Sequence, residues 1–476
     1  MKKKIIFAAS NASHFDNYLE TSFFEILKKK YEISFLIFDK ERHNDRFKAL
    51  KQFGDIFFSK YNSRNKFYRI YQRLNLFSYF SNEILKNKKK NIREEKVIER
   101  TLCVDKPDKI KLFKILDKLK LLPFLNFVAY NLIRMIDLKH FEKKYSFDLI
   151  ILMWKIYDDT AFSDSLIRSA KKNNNELLAL QINWDAIPSR IALEKPKYVG
   201  VIGEQSFQFA FLNYNYSPNT LFPVGMIKLD KYLDNNNLSK VEAKKILNLP
   251  TNKKVICFAP SGEEFDEIFI LEKLNKLMDK DLYKKNICFY FKGYKGGKKV
   301  TLENNLKYEY GKKLIDYNND LKNIIFWEPD EVKLESTEYY KILFNAIDGM
   351  ISTYSTLALE GAFNKIPSLN LNYFPKKYGL KSGDNWFFQC TWNHLYTWRN
   401  HSFVRELEIT SREDLESKIE LLSKKIISED VDGKKFRDLS LSIVYNINSE
   451  IKTTETIDSI IKKIPRDESD QVFISR

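Results

Sequence analysis

Apolar residues along this chain fall into two patterns that take turns. Short unbroken runs, such as Ile5-Ile-Phe-Ala-Ala9 and Ile33 to Phe38, read as strands buried on both faces, while Tyr18 to Lys30 carries its apolar residues at helical spacing. The alternation continues through strands at Asp55 to Ser59 and Phe147 to Trp154, a helix to about Asn173, and strands at Leu177 to Asn183 and Tyr198 to Gly203. Strands that alternate with helices predict a parallel sheet joined by right-handed crossovers. Pro223 to Asp230 reads as the last strand of this half and the start of a link.

The polar run Asp234 to Lys240 precedes a short helix, Val241 to Leu247, and a second sheet opens at Lys253 to Ala259. Its next strand, Ile287-Cys-Phe-Tyr-Phe291, runs into Lys292-Gly-Tyr-Lys-Gly-Gly-Lys298; Tyr339 to Asp348 is helical and Leu369 to Leu371 is a further strand. Thr410 or Ser411, with acidic residues behind it, marks a later helix start. The 476 residues leave room for two domains of ordinary size. The predicted fold class is therefore α/β, with two Rossmann-like domains, 1–225 and 226–440, and a closing helical segment, 441–476.

Charge adds one region that the alternation does not explain. Residues 60–145 hold about 22 Lys and Arg against about 9 Asp and Glu, so roughly +13 of the net +17 sits there. Their apolar residues have helical spacing, as in Ile110 to Tyr130, which predicts a basic helical insertion in the first domain. Such a segment suits an anionic membrane surface or a lipid-linked anion; a solvated face in a Lys-rich chain has the same composition. Nucleic acid is not expected, because no recognised binding module accompanies the charge. The four cysteines, Cys103, Cys257, Cys288 and Cys390, are widely spaced, and two lie in strand-like runs, as buried free thiols do. The first apolar run is too short for a signal peptide and no run of about 20 apolar residues exists to span a bilayer. A cytoplasmic protein, peripheral at most on the inner face of the membrane, is the expectation.

The candidate chemistry centres on Asp348-Gly-Met-Ile-Ser-Thr-Tyr-Ser-Thr-Leu-Ala-Leu-Glu-Gly361, a strand end, a hydroxyl-rich turn and a helix. Ser355 or Thr356 would cap the helix, whose amide end favours an anion without a cationic side chain. Glu360 lies roughly 7.5 Å further along the axis, at about 1.5 Å per residue, close to the distance from a diphosphate to its ribose hydroxyls. An ordinary capped helix has the same local pattern. What changes the weighting is the helix before it and the Pro367-led strand after it, which together make a βαβ unit.

On these residues the chain resembles the donor half of GT-B glycosyltransferases. The resemblance implies two domains facing a cleft, with Ser352, Ser355 and Thr356 at the donor phosphates and Glu360 on the ribose. It places Ser261 and Gly262, in the loop after the first strand of the second sheet, near the same phosphates, although a turn glycine would look alike. Related glycosyl- and glycerophosphotransferases have a Lys followed by Pro-His-Pro after the next strand; only Lys292 matches here. The segment from Gln181 to Asp230 resembles bacterial surface-polysaccharide transferases, with a Trp184-Asp185 loop, a strand ending near Glu204, and Val224-Gly225 followed by Asp230. The donor-half arrangement of turn, Glu and Pro-led strand also occurs in the non-hydrolysing UDP-N-acetylglucosamine 2-epimerases, whose turn is Ser-Gly-Gly. Ser355-Thr356-Leu357 departs from that, which weighs against an epimerase.

Transfer from a nucleotide sugar needs the leaving phosphate's charge stabilised and, for inversion, a base. The resemblance implies that amides at the helix terminus do the first without metal or other cofactor. Asp16 or His14, just past the first strand, are the candidate bases, with Asp185 and Glu204 as rivals. Asn11, Trp184, Asp185 and Arg190 lie where an acceptor, a surface glycan or lipid-linked group, would bind. A sugar-nucleotide epimerase and a CDP-polyol phosphotransferase are the alternative activities. Trp386, Trp392 and Trp398, with His394, Arg399 and His401, form either an aromatic satellite core or a stacking surface. Asp430-Val-Asp432 is an Asp-x-Asp in a polar stretch between helices that does not suit a metal.

Overall fold

The structure, a computed structural model, describes residues 2–38, 45–59, 147–154, 160–184, 194–214, 216–233, 238–259, 267–292, 323–326, 337–353, 355–373, 401–445 and 447–463, with Leu321 and a few positions between 115 and 125. The expected insertion at 60–145 lies almost wholly outside the described residues, as do Asp185, Arg190, Ser261, Gly262 and the three tryptophans after residue 374. The chain divides into two compact units, Met1–Asp230 with Val444–Arg476, and Lys231–Ile443.

The first unit is built on seven strands: β1 (Lys3–Ala9), β2 (Tyr31–Phe38), β3 (Gly54–Ser59), β4 (Leu149–Trp154), β5 (Leu177–Gln181), β6 (Tyr198–Val201) and β7 (Leu221–Pro223). They pair in the order β3-β2-β1-β4-β5-β6-β7, every pair parallel. The second has six: β8 (Lys254–Ala259), β9 (Ile287–Phe291), β10 (Ile324–Phe326), β11 (Gly349–Thr353), β12 (Ser368–Leu371) and β13 (Glu408–Ile409). Their order is β10-β9-β8-β11-β12-β13, again all parallel. Both units are Rossmann-like α/β sheets. The central strands read as continuous apolar runs because helices cover both faces. Edge strands β7, β10 and β13 have no more than three residues each, too few to show a period.

Two expected elements differ. The helix predicted over Tyr18 to Lys30 is interrupted: Asp16–Leu19 and Phe23–Lys30 are helical, and between them the Thr21 hydroxyl donates to the Tyr18 carbonyl (3.0 Å) and accepts from the Phe23 N–H (3.3 Å). That local bonding competes with the helical ladder. The strand expected over Pro223 to Asp230 stops at Pro223 and Ile227–Leu233 is a helix. Between them Gly225 has φ of 72°, and a Cβ there would lie 2.4 Å from the Ser449 hydroxyl. Only glycine allows that turn against the returning C-terminal segment.

That segment is part of the first unit's core. In helix Ser449–Lys462, Ile457 and Ile460 join the buried cluster in which the Phe7 ring meets Phe24 at 5.2 Å and Phe23 and Phe35 at 6.0 Å. Each such side chain contributes about 1.5–3 kcal/mol by leaving water. Asp230 accepts from the Glu450 N–H at the helix start (2.9 Å), and Asp458 pairs with Lys30 and accepts from the Tyr31 hydroxyl.

A single device recurs at the amino ends of both sheets. Asp148, just before β4, donates its N–H to the Lys4 carbonyl (2.7 Å) and accepts the Lys4 N–H (2.8 Å) and the Lys3 ammonium (2.8 Å) on its carboxylate. Asp348, just before β11, donates its N–H to the Val255 carbonyl (2.7 Å), accepts the Val255 N–H (2.8 Å) and the Lys240 ammonium (2.6 Å), and lies 3.7 Å from Lys244. In each sheet the clasp locks the strand after the longest crossover onto the first strand. Burial disfavours the Asp148 anion, yet the Lys3 and Lys4 bonds outweigh it and hold the carboxyl below its ordinary range.

Asp348→Ala is expected to lower unfolding free energy by about 3 kcal/mol, since it strands the buried Lys244 beside it, and Asp148→Ala by about 1–2 kcal/mol, both read by urea denaturation. Because the folded-state pKa of Asp148 is depressed, its contribution is full above the ordinary carboxylate range and fades as pH falls through the lower folded value. Asp148→Asn should flatten that acid limb.

Candidate functional site

Parallel strands bring every carboxyl end in a sheet to one edge, where ligands of open α/β sheets bind. In the second unit β11 ends there at Ser352-Thr353. Ser352 is fully buried; its hydroxyl donates to the Ala259 carbonyl at the end of β8 (2.8 Å) and lies 3.3 Å from the Ser355 hydroxyl. Ser355 is the cap of helix Thr356–Phe363, extended in backbone and accepting the Ala358 N–H at 3.3 Å, while Thr356 is the first helical residue. The amide end of this eight-residue helix therefore opens at the sheet edge and favours an anion.

One turn in, Glu360 is 1 % exposed, and one of its carboxylate oxygens accepts from the Tyr232 hydroxyl at 2.6 Å. Lys292 directly follows β9, buried, its N–H donating to the Phe258 carbonyl (2.9 Å) and its ammonium 5.2 Å from the centre of the Tyr340 ring. Strands β11, β8 and β9 are consecutive, so Ser352 and Lys292 stand two strand spacings apart, about 10 Å. Beneath lies a buried polar layer. The Tyr290 and Tyr339 hydroxyls meet at 3.1 Å, and burial pushes the Cys257 thiol up to about 12 despite the Lys292 charge. Cys257 and Cys288 are buried free thiols, as expected of strand cysteines.

In the first unit, Asn11 caps a turn of 3-10 helix after β1, accepting the Ser13 N–H at 2.8 Å, and places His14 in the interior and Asp16 half-exposed. Arg46 grips both oxygens of Asp16, at 2.7 and 2.9 Å. Trp184, past β5, is buried. Its carbonyl accepts from Gln181, whose side-chain amide also donates to the Asn183 carbonyl (2.8 Å) and the Ser206 hydroxyl (2.8 Å). Glu204 opens helix Glu204–Tyr214, where it accepts from Gln208 (3.0 Å) on one oxygen and the Tyr445 hydroxyl (3.2 Å) on the other. Asn11, His14 and Asp16 thus gather after β1. Trp184 and Glu204 stand two and three strands away, about 10 and 14 Å along the edge.

Three partners escaped the sequence reading. Arg46 and Tyr232 bind Asp16 and Glu360 from 30 and 128 positions away in the chain, where no local pattern marks them, and Gln181 ties the Trp184 carbonyl to Ser206, 25 positions on. Asp230 holds the C-terminal helix, and Asp432 caps helix Gly433–Leu441. Among the described residues no group of three His, Cys, Asp or Glu could hold a metal ion.

No profile of a known protein family matches the chain, and no curated protein matches it in sequence. Solved structures do match its fold. A putative UDP-N-acetylglucosamine 2-epimerase from Listeria monocytogenes is 11 % identical with a TM-score of 0.52, covering 98 % of this chain and 99 % of that one. Another UDP-N-acetylglucosamine 2-epimerase is 11 % identical at 0.52, covering 98 % of both. The S. aureus MnaA–UDP structure is 10 % identical at 0.50, covering 98 % and 99 %. The chain has the fold of the GT-B group, two Rossmann-like α/β domains.

Ser355→Ala should lower stability by about 1 kcal/mol through loss of the helix cap, and Ser355→Asp, which keeps an oxygen for the Ala358 N–H, should recover most of it. Thermal unfolding followed by circular dichroism measures both.

Proposed function

We propose that this chain is a glycosyltransferase that moves a sugar from a nucleotide-activated donor to a glycan or lipid-linked acceptor. The observation that carries the reading is the capped helix of the second unit, with Ser352 and Ser355 at its amide end and Glu360 one turn in. The leaving diphosphate sits at that helix terminus with Lys292 alongside, and Glu360 accepts from the ribose. Amides and an ammonium then meet the developing charge without a metal. The UDP bound in one structure of the same fold supports a nucleoside diphosphate as the ligand class.

The base is drawn from His14 and Asp16. Glu204 is the rival; both carboxylates have both oxygens engaged, Asp16 by Arg46 and Glu204 by Gln208 and Tyr445. Epimerases share the fold, and a turn built of Ser355-Thr356-Leu357 rather than glycines supports transfer over that second reading: side chains keep the backbone further from a phosphate. Transfer of a polyol phosphate from a CDP donor uses the same anion site and is the other outcome of a nucleotide screen.

An anionic membrane surface is the partner we assign to the basic stretch. Ile115, Leu119, Leu121 and Phe124, large apolar side chains among its lysines, are exposed, as a lipid-contacting segment requires. Among the described residues no helix is long and apolar enough to cross a membrane.

UDP, GDP, CDP and CMP are to be tested by thermal shift. One diphosphate at 100 times its Kd should stabilise the folded state by about 2.7 kcal/mol, and Glu360→Ala should cut the response to about half or less. No shift with any nucleotide would sink the reading. In sedimentation with vesicles, phosphatidylglycerol but not phosphatidylcholine should carry down the wild type, and combined Ser substitution of Ile115, Leu119 and Phe124 should leave it in solution. Equal pelleting of the two proteins overturns the membrane assignment.

A further inference from the structure

We propose that Tyr232 is the positioning residue of the nucleotide site, holding the Glu360 carboxylate in the orientation that receives the ribose; the inference rests on the donor-site reading above. A carboxylate 1 % exposed needs donors to offset the loss of water, and the Tyr232 hydroxyl supplies one at 2.6 Å. The phenol is itself held. Its ring packs edge-on to Phe344 at 5.7 Å and against Phe363 at 6.4 Å, and Phe363 lies three residues after Glu360, on the same face of the helix. Phe344 belongs to helix Thr337–Ala346, which leads into β11.

Tyr232 is thus wedged between the two helices that flank the strand ending in the phosphate turn. From there its hydroxyl reaches one carboxylate oxygen. A carboxylate has about four acceptor positions, and the phenol takes one of them. A long Glu side chain has several rotamers, and the phenol bond is one contact that restricts them. That restriction is present before nucleotide arrives.

Removing only the hydroxyl separates this role from packing. Tyr232→Phe keeps the ring between Phe344 and Phe363, so circular dichroism should match the wild type, with the melting temperature lower by a few degrees for the lost donor to a buried carboxylate. Binding of UDP, GDP and CDP is measured by calorimetry, each beside its 2′-deoxy and 3′-deoxy forms, for wild type, Tyr232→Phe and Glu360→Gln. For the diphosphate that binds, the wild type should prefer the ribose form by roughly tenfold or more, the scale of one hydrogen bond to a charged group. In Tyr232→Phe that preference should collapse toward the Glu360→Gln value, with deoxynucleotide affinity nearly unchanged.

An unchanged ribose preference in Tyr232→Phe overturns the positioning role while leaving the donor site intact. Tighter ribonucleotide binding also overturns it, since Tyr232 would then compete with the ribose. If the wild type binds no nucleotide, or binds ribose and deoxyribose forms alike, the donor-site reading itself fails.

Discussion

Both halves of this protein depend on one constraint, the parallel pairing of strands that are buried on two faces. Parallel neighbours cannot be joined by hairpins, so each connection crosses the sheet with a helix and all strands end at the same edge. That edge is where the chain must turn, and where helix starts accumulate backbone N–H groups with no carbonyl one turn back. The opposite edge bears the cost of starting the strands. Asp148 and Asp348 meet it there, each satisfying both the N–H and the C=O of the first strand while its carboxylate gathers lysines. The two sheets solve the same problem with the same residue type, placed just before the equivalent strand.

Division of labour between the two edges explains why buried polar residues are informative here. At the amino edge they are clasped by backbone and lysine, and they stabilise the fold. At the carboxyl edge Ser352, Ser355 and Glu360 line one helix start after β11 and Lys292 follows β9 two strands away; Glu360 and Lys292 each contact a tyrosine. A buried carboxylate, a buried ammonium and an open helix end lie within a few strand spacings of one another, which is the arrangement on which the proposed donor site rests. The first unit's edge is different in kind. Asp16 is engaged by Arg46, and Glu204 by Gln208 and Tyr445. His14 is buried in the same turn as Asn11.

The α/β class was legible from the chain because long central strands must be apolar throughout and their helices amphipathic, and both leave periodic traces. The hydroxyl-rich turn and its helix cap were legible for a similar reason: capping is a local interaction over three residues, and Ser355 to Ala358 is such a pair. Strands β7, β10 and β13 left no trace, since their pairing comes from a neighbour and not from their own composition. The apolar run from Val224 to Leu229 was ambiguous between strand and helix. Gly225, packed on Ser449 more than two hundred residues later, decided it.

What the sequence determined by itself was therefore the order of strands and helices, the hydroxyl turn after β11, and the type of residue available at each strand end. Local spacing carries that information, because hydrogen bonds within a helix or turn join near neighbours. Which of those residues act together was decided only by tertiary structure. Tyr232 reaches Glu360 across 128 positions, Arg46 reaches Asp16 across 30, and Tyr445 reaches Glu204 across 241. Such contacts follow from how helices pack on a closed set of strands, and packing depends on the whole set of side chains at once, which no local pattern records.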